Sequence, residues 1–301
     1  MTSFFASHTG EMASLFTALC WMITSLAFES AGKKVGSLSV NIIRLAMAFL
    51  FLGVLSWIRK GMFIPLDATM SNWWWLSVSG LIGFVLGDIL LFQAFIDVGA
   101  RISMLIMSLA PPLAAIFGYF ILGEKLTALH FAGMAITIVG IAMVILNKPA
   151  KKSIFKMNYP LKGLLLAFGG ALGQALGLVI SKLGMNGYDP FLSTQIRVIA
   201  AIIGFTVMVM IAGHWKNLFK ALVNRSAMIR ISTGAFFGPF LGVSFSLLAI
   251  QYTTTGVAST IMSIVPILII APSVFIFKER ISFKEIMGAI VAVGGVVLLF
   301  F

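Results

Sequence analysis

The sequence predicts an all-α integral membrane protein of ten transmembrane helices, built as two inverted five-helix repeats. Three observations carry this expectation. Of 301 residues, 60% are hydrophobic and only 10% charged, whereas soluble domains are about a quarter charged. Ten apolar runs are each long enough to cross a hydrocarbon core of roughly 30 Å, which takes about 20 helical residues. Finally, "IMSLAPPLAAIFGYFILGEKLT" at Ile106–Thr127 recurs as "IMSIVPILIIAPSVFIFKERIS" at Ile261–Ser282.

The runs of the first half are Met12–Ala31, Leu38–Ile58, Trp73–Ile96, Ile102–Leu122 and Leu129–Leu146. Those of the second are Gly163–Gly184, Phe191–Ala212, Met228–Ile250, Val257–Phe277 and Phe283–Phe301. All are continuously apolar rather than alternating, so helices, not barrel strands, satisfy the backbone in lipid. Each span of the first half has a counterpart in the second. The first and sixth carry Trp21 and Gln174, which align at a shift of 153 positions. At the same shift, "NIIRLA" of the second span meets "TQIRVI" of the seventh and pairs Arg44 with Arg197. At a shift of 155, Gly83–Leu146 aligns with Gly238–Phe301 without a gap. Gly83, Gly87, Met107, Ser108, Pro111, Glu124, Gly133 and Gly140 then meet Gly238, Gly242, Met262, Ser263, Pro266, Glu279, Gly288 and Gly295.

The chain therefore divides into a first unit at 12–146, a lysine-rich linker at 147–162 and a second unit at 163–301. An odd number of crossings per unit makes the second copy enter from the opposite face. Inverted repeats of this kind place a binding site at their shared interface, near the bilayer midplane.

Little chain remains outside the spans, which leaves no room for a soluble catalytic domain. The net charge of +12 resides mostly in loops and implies no nucleic-acid partner. Counted by side, four loop cations (Arg59, Lys60, Lys125, Lys182) face fifteen, with Arg44 and Arg197 inside spans completing the 21. The positive-inside rule then puts the linker in the cytoplasm and both termini outside. Cys20 is the single cysteine and sits in the first span. With three scattered histidines it offers neither a disulfide nor a metal site, and no cofactor is expected. The residues before Met12 carry no Lys or Arg, so no cleavable leader is expected.

Asp88, inside "GFVLGDILLF", is the leading candidate for a functional group, because an ionisable side chain at membrane depth is costly and defaults to a functional hypothesis. It would bind a substrate ammonium or a coupling proton; the competing readings are an ion pair with Arg44 or Arg197, or a span placed so that the carboxylate lies near water. One of those arginines would otherwise hold a carboxylate or a helix end. Pro111 and Pro266 fall mid-helix, where they free backbone carbonyls beside Ser108 and Ser263 and supply a hinge in each half. Trp21, Gln93, Gln174, Tyr119, Ser244 and Ser246 complete the set expected to face a pathway. Glu124 and Glu279, at the ends of the fourth and ninth spans, are candidate gates. The glycines of spans three, six and eight, Gly83 and Gly87, Gly169, Gly173 and Gly177, and Gly234, Gly238 and Gly242, are read as close-packing steps.

A five-helix unit whose fourth helix reads Ser-x-x-Pro and ends "GEKLT" or "KERIS", followed by a helix with two glycines, resembles the EamA repeat of the drug/metabolite transporter superfamily. The likeness covers both halves. It implies a ten-helix carrier in the plasma membrane, the bacterial inner membrane, that exports a small metabolite, amino acid-like or amphiphilic, with protons as a candidate coupling ion. It further implies that helices three, four, eight and nine surround the pathway, that one, two, six and seven gate it, and that five and ten lie peripherally. Such carriers are usually drawn with cytoplasmic termini; the loop charges here argue the reverse. A monomer suffices, since both halves are in one polypeptide. The alternatives are a membrane enzyme acting on a lipid-linked substrate, for which clustered acids or histidines are missing, and a bundle that never moves and serves as scaffold or regulator.

Overall fold

A computed structural model describes residues 8–123, 125, 127–147, 156, 157, 159–213, 215–252, 258, 261–278 and 281–298. These residues form a helical bundle, with one short antiparallel pairing of Leu146–Asn147 against Lys156–Met157 at the linker. In chain order the first half holds α1 (Thr9–Val35), α2 (Ser37–Lys60), α3 (Met70–Asp97), α4 (Gly99–Leu122) and α5 (Ala128–Ile145). The second half begins with α6 (Leu161–Met185), α7 (Pro190–Ala212), the short α8 (Trp215–Val223) and α9 (Arg225–Tyr252). It ends with α10 (Val265–Leu268), α11 (Ile270–Phe277) and α12 (Phe283–Leu298).

Eight of these, α1 to α7 and α9, are long and apolar enough to cross a membrane. The ninth expected span is represented by α10 and α11, with a break between them, and the tenth by the 16 residues of α12. The apolar run that predicts one long ninth helix carries Pro266 and Pro272, and α10 has a proline in its first turn. α8 was not expected from the sequence. Its lysines, Lys216 and Lys220, alternate with apolar residues at helical spacing rather than forming one apolar run.

Local chemistry sets the helix ends. α1 and α2 are separated by Gly36 alone, whose φ of 81° and ψ of 154° lie where a side chain would be strained, so the chain reverses within one residue. Thr69 and Asn72 form a reciprocal capping box at the start of α3: the Asn72 backbone amide donates to the Thr69 hydroxyl at 3.2 Å and the Thr69 backbone amide to the Asn72 side-chain Oδ1 at 3.0 Å. Asp189 caps α7 by accepting from the amides of Phe191 and Leu192 at 2.9 and 3.1 Å, with Pro190 in the first turn. The same carboxylate pairs with Arg59 at 3.2 Å. Asp189→Ala is expected to cost about 1 kcal/mol, the usual size of a lost cap. Thermal melting in detergent checks this, and an unchanged midpoint would contradict it.

The packing pairs the two halves. α5 lies along α12, α2 along α7, α3 on α6, and α1 on α9. Small residues carry two of these contacts. A Cβ at Gly140 would sit 2.3 Å from the Ala292 nitrogen, and one at Gly295 2.4 Å from the Thr137 nitrogen, so the backbones of α5 and α12 touch. A Cβ at Gly173 would lie 2.5 Å from the Gly87 Cα, and one at Gly177 2.9 Å from the Gly83 Cα, which brings α3 and α6 equally close. Association within lipid depends on such van der Waals fit, because lipid tails are as apolar as the side chains. The principal core, including Phe28, Leu45, Leu52, Phe84, Phe205 and Ile231, is drawn mainly from α1, α2, α3, α7 and α9, with Met104 of α4, Ala221 of α8 and Val265 of α10 joining it. Leu50, Ile58, Phe131, Ile203 and Ile211 are exposed on the outside of the bundle.

Two helices are wound as π-helix at equivalent places. Leu81–Gly87 in α3 and Phe236–Gly242 in α9 are related by the 155-residue shift, and each lies just before the aligned pair Asp88 and Val243. π-segments of this kind recur at functional positions.

Candidate functional site

A cavity of about 170 Å³ lies at the centre of the bundle, lined by α1, α2, α3 and α4 of the first half and by α6, α7, α9 and the segment around Pro266 of the second. A single water needs roughly 10–15 Å³ on this measure, so a solute of many heavy atoms fits. No described residue of α5 or α12 lines it. The walls are mostly apolar, with Phe28, Phe84, Phe92 and Phe95 beside Met104, Met107 and Met262.

Its charged part is built from α2, α3 and α6. The Arg44 and Asp88 side chains are 3% and 6% exposed and form a direct ion pair, Nη2 to Oδ2. Asp88 Oδ1 accepts from the Gln174 side-chain amide, which also reaches the Gly83 carbonyl at 3.3 Å. Asn41, one turn before Arg44, accepts from its Nε at 3.0 Å and donates to the backbone oxygens of Ser37 and Asp88 at 3.1 and 3.4 Å. Three rings surround the guanidinium, with the centroids of Phe92, Phe84 and Phe28 at 4.6, 5.6 and 5.7 Å. Desolvated cation–π contacts of this type contribute on the order of 1–2 kcal/mol. Phe84, Asp88 and Phe92 recur every four residues on α3, which places the carboxylate between two rings on one face.

Arg197 of α7 differs from its repeat partner. It is 4% exposed, lines the same cavity and stands 4.6 Å from the Phe84 ring centroid. It makes no hydrogen bond or ion pair with the described residues, and its Nε is buried without a partner. The absence of side chains at Gly80 and Gly83 leaves it room: a Cβ at Gly83 would lie 3.1 Å from Arg197 Nη2, and one at Gly80 2.4 Å from its backbone oxygen. Ser108 Oγ is a second buried, unpartnered polar atom on a lining residue.

The structure brings together ten of the residues singled out from the sequence. Asp88, Trp21, Gln174, Ser108, Ser263, Ser246, Pro111, Pro266, Arg44 and Arg197 all line the cavity. Trp21 and Gln174 occupy matching positions: a Cβ at Gly242 would meet Trp21 at 3.0 Å, and one at Gly87 would meet the Gln174 nitrogen at 3.3 Å. Gln93, Tyr119 and Ser244 lie elsewhere. Gln93 bridges Ser37 and Asp97 near the ends of α2 and α3 at 2.9 and 2.8 Å. Tyr119 is 48% exposed beside Phe120. Ser244 is buried away from the lining. Glu124 and Glu279 lie outside the described residues. At Pro111 the carbonyl expected to be free, that of Met107, accepts instead from the Ala110 amide, because residues Met107–Leu109 tighten into a 3₁₀ turn. Asn41 and the three phenylalanines were not singled out. The four-residue spacing of Phe84, Asp88 and Phe92, and the single turn between Asn41 and Arg44, were the available signals.

Polar clasps join the halves at both ends of α3 and α6. At one end Arg59 pairs with Asp189, and Asn72 donates to the Gly184 carbonyl at 2.7 Å. There Asp67 also takes hydrogen bonds from Lys60 and Tyr188, which hold its carboxyl below the usual carboxylate range. At the other end Arg101 pairs with Glu285 at 3.5 Å, Tyr159 donates to Glu285 at 3.0 Å, and Lys162 stands 3.8 Å from Asp97. No three of the described His, Cys, Asp or Glu residues come together as metal ligands.

A helical bundle with eight membrane-length helices, a repeat in its two halves and a central cavity walled by both belongs to the class of multi-pass membrane proteins. The family model described as "EamA-like transporter family" matches the chain twice, over residues 8–146 and 161–301. The chain belongs to the EamA-like transporter family. It is 25% identical over 183 residues, 60% of its length, to an uncharacterized transporter of Clostridium kluyveri. It is 30% identical over 119 residues, 40% of its length, to the uncharacterized transporter YetK of Bacillus subtilis. These alignments span 57% and 35% of the two relatives. A crystal structure 17% identical in sequence matches its fold with a TM-score of 0.63, over 96% of both chains.

Proposed function

We propose that this protein is a secondary carrier that moves a small amphiphilic metabolite across the plasma membrane by alternating access. The observation that carries this reading is the central cavity, closed by residues of both halves and holding the buried Arg44, Asp88 and Arg197. A static scaffold has no need of charges at that depth. Ten crossings and an inverted relation of the repeats, 12–146 and 163–301, are part of the proposal. The helix pairing supports it, since α2 with α7 and α5 with α12 are self-matching, while α3 on α6 and α1 on α9 exchange when the halves are swapped.

In this mechanism the two clasps are alternate gates. Breaking Arg59–Asp189 opens one end and breaking Arg101–Glu285 opens the other, while α3 and α9 pivot at their π-segments and α4 at Pro111. Glu124 and Glu279 would act in the same gating. Asp88 is the group whose protonation would release Arg44, giving a proton gradient its point of entry. Direction is outward, as the family resemblance implies, with the basic linker in the cytoplasm, both termini outside and one polypeptide sufficient.

Proteoliposomes holding the full chain test this with a labelled panel of carboxylates, amino acids and amines. The expected result is saturable, protein-dependent flux of at least one chemically unchanged solute, with a rate that responds to an imposed pH gradient. Chemical conversion of a solute, or no protein-dependent flux across the panel, would sink the carrier reading.

A further inference from the structure

We propose that the cavity is selective for a monoanionic carboxylate with an aromatic or aliphatic body, held through Arg197. The inference rests on the reading of the cavity as a solute site and names its substrate class. The charges decide the sign. Among the described lining residues the ionisable groups are Arg44, Asp88 and Arg197, a sum of one positive charge. The Arg44 charge is already matched by Asp88 and wrapped by three rings. The Arg197 charge feels the Asp88 carboxylate at a distance but forms no ion pair with any described residue, and its Nε is buried without an acceptor. A buried guanidinium without a direct ion-pair partner is costly, and an anion entering the cavity supplies both the contact charge and the hydrogen-bond acceptors that are missing.

The valence follows from the same sum, since one negative charge makes the filled cavity neutral. A planar carboxylate matches the fork of donors that a guanidinium presents. Ser108 Oγ, also buried, lining and unpartnered, adds a hydroxyl donor for the same ligand. Zwitterions and amines fit less well. Asp88, the sole carboxylate among the described lining residues, has Oδ2 engaged by Arg44 and Oδ1 by Gln174, so an ammonium finds no free acceptor there. The remainder of the wall, Phe28, Phe84, Phe92, Phe95, Met104 and Met262, is apolar and suits a hydrophobic body.

Binding to the purified full chain in detergent, followed by calorimetry, separates the cases. The probes are 3-phenylpropanoate, its amide, 3-phenylpropylammonium and phenylalanine. The carboxylate should bind at least about tenfold more tightly than each of the other three, a difference typical of one charge-assisted contact. Arg197→Gln should reduce that preference to about twofold or less, while Arg197→Lys, which keeps the charge, should retain most of it. The four-ligand comparison on the unaltered protein needs no variant to fold. Equal binding of carboxylate and amide, tightest binding of the amine or of phenylalanine, or no saturable carboxylate binding would overturn the proposal. So would an unchanged preference in a folded Arg197→Gln protein. Carboxylate binding without flux in proteoliposomes would leave this assignment standing and remove the carrier reading; flux of amines alone, with no carboxylate binding, would do the reverse.

Discussion

Replacing Asp88 with alanine is expected to be among the most damaging single truncations in this protein, costing about 3–5 kcal/mol of stability and abolishing transport. The cost comes from Arg44, which is left as a second uncompensated buried charge, rather than from loss of a favourable contact. A buried ion pair roughly balances its own desolvation, so removing both charges is far gentler than removing one. The double variant Arg44→Met with Asp88→Leu is therefore expected to melt close to the unaltered protein while remaining inactive in flux assays. Melting midpoints in detergent, read together with proteoliposome transport, check both halves. A stable Asp88→Ala protein, or a double variant less stable than either single one, would refute this account of the pair. The comparison also separates structure from function, because the double variant restores packing without restoring charge.

Gly173→Ala is expected to give the second large effect. The added carbon would lie 2.5 Å from the Gly87 Cα and 2.9 Å from its nitrogen, and backbone cannot yield as a side-chain tip can. The helices α3 and α6 must then separate, at a cost of about 1–3 kcal/mol for overpacking. Separation also draws Gln174 away from the Asp88 oxygen it donates to, so transport should fall along with stability. Gly294→Ala is the control, because nothing lies within 4 Å of the carbon it would add. In the interior of α12 that change should be neutral or stabilising by up to about 1 kcal/mol. Equal melting midpoints for the two variants would show that the α3–α6 contact is not limiting.

Helix positions were legible because hydropathy in a membrane chain is a length signal. The runs at Leu38–Ile58 and Phe191–Ala212 differ from α2 and α7 by no more than two residues at either end. The charged pair was legible too, since Asp88 and Arg44 are rare at such depth, and their mutual pairing was one of three readings open from the sequence. The direction of apolar side chains was not legible. A phenylalanine that faces lipid and one that wraps Arg44 are written alike, because both surroundings are equally apolar. For the same reason Tyr119 and Gln93 were placed with the pathway, although one points outward and the other bridges Ser37 and Asp97. Amphipathic α8 escaped because its apolar residues are interleaved with lysines. The π-segments escaped because a change in hydrogen-bond register leaves no mark in hydropathy.

Those two widened turns have a consequence for phase. Each residue of an ordinary helix advances the azimuth by about 100°, so one surplus residue in a turn re-aims everything that follows it. Beyond Gly87 the bearing of Asp88, Phe92 and Phe95 is set by the winding of Leu81–Gly87, and the same device sets the bearing of Ser246 beyond Gly242. Had either segment been wound evenly, the carboxylate on one side and the hydroxyl on the other would look toward different neighbours with no change in composition. The chemical identity of the chamber is thus written partly in the angular offset of two short stretches, and a deletion there would not act like a deletion in a loop.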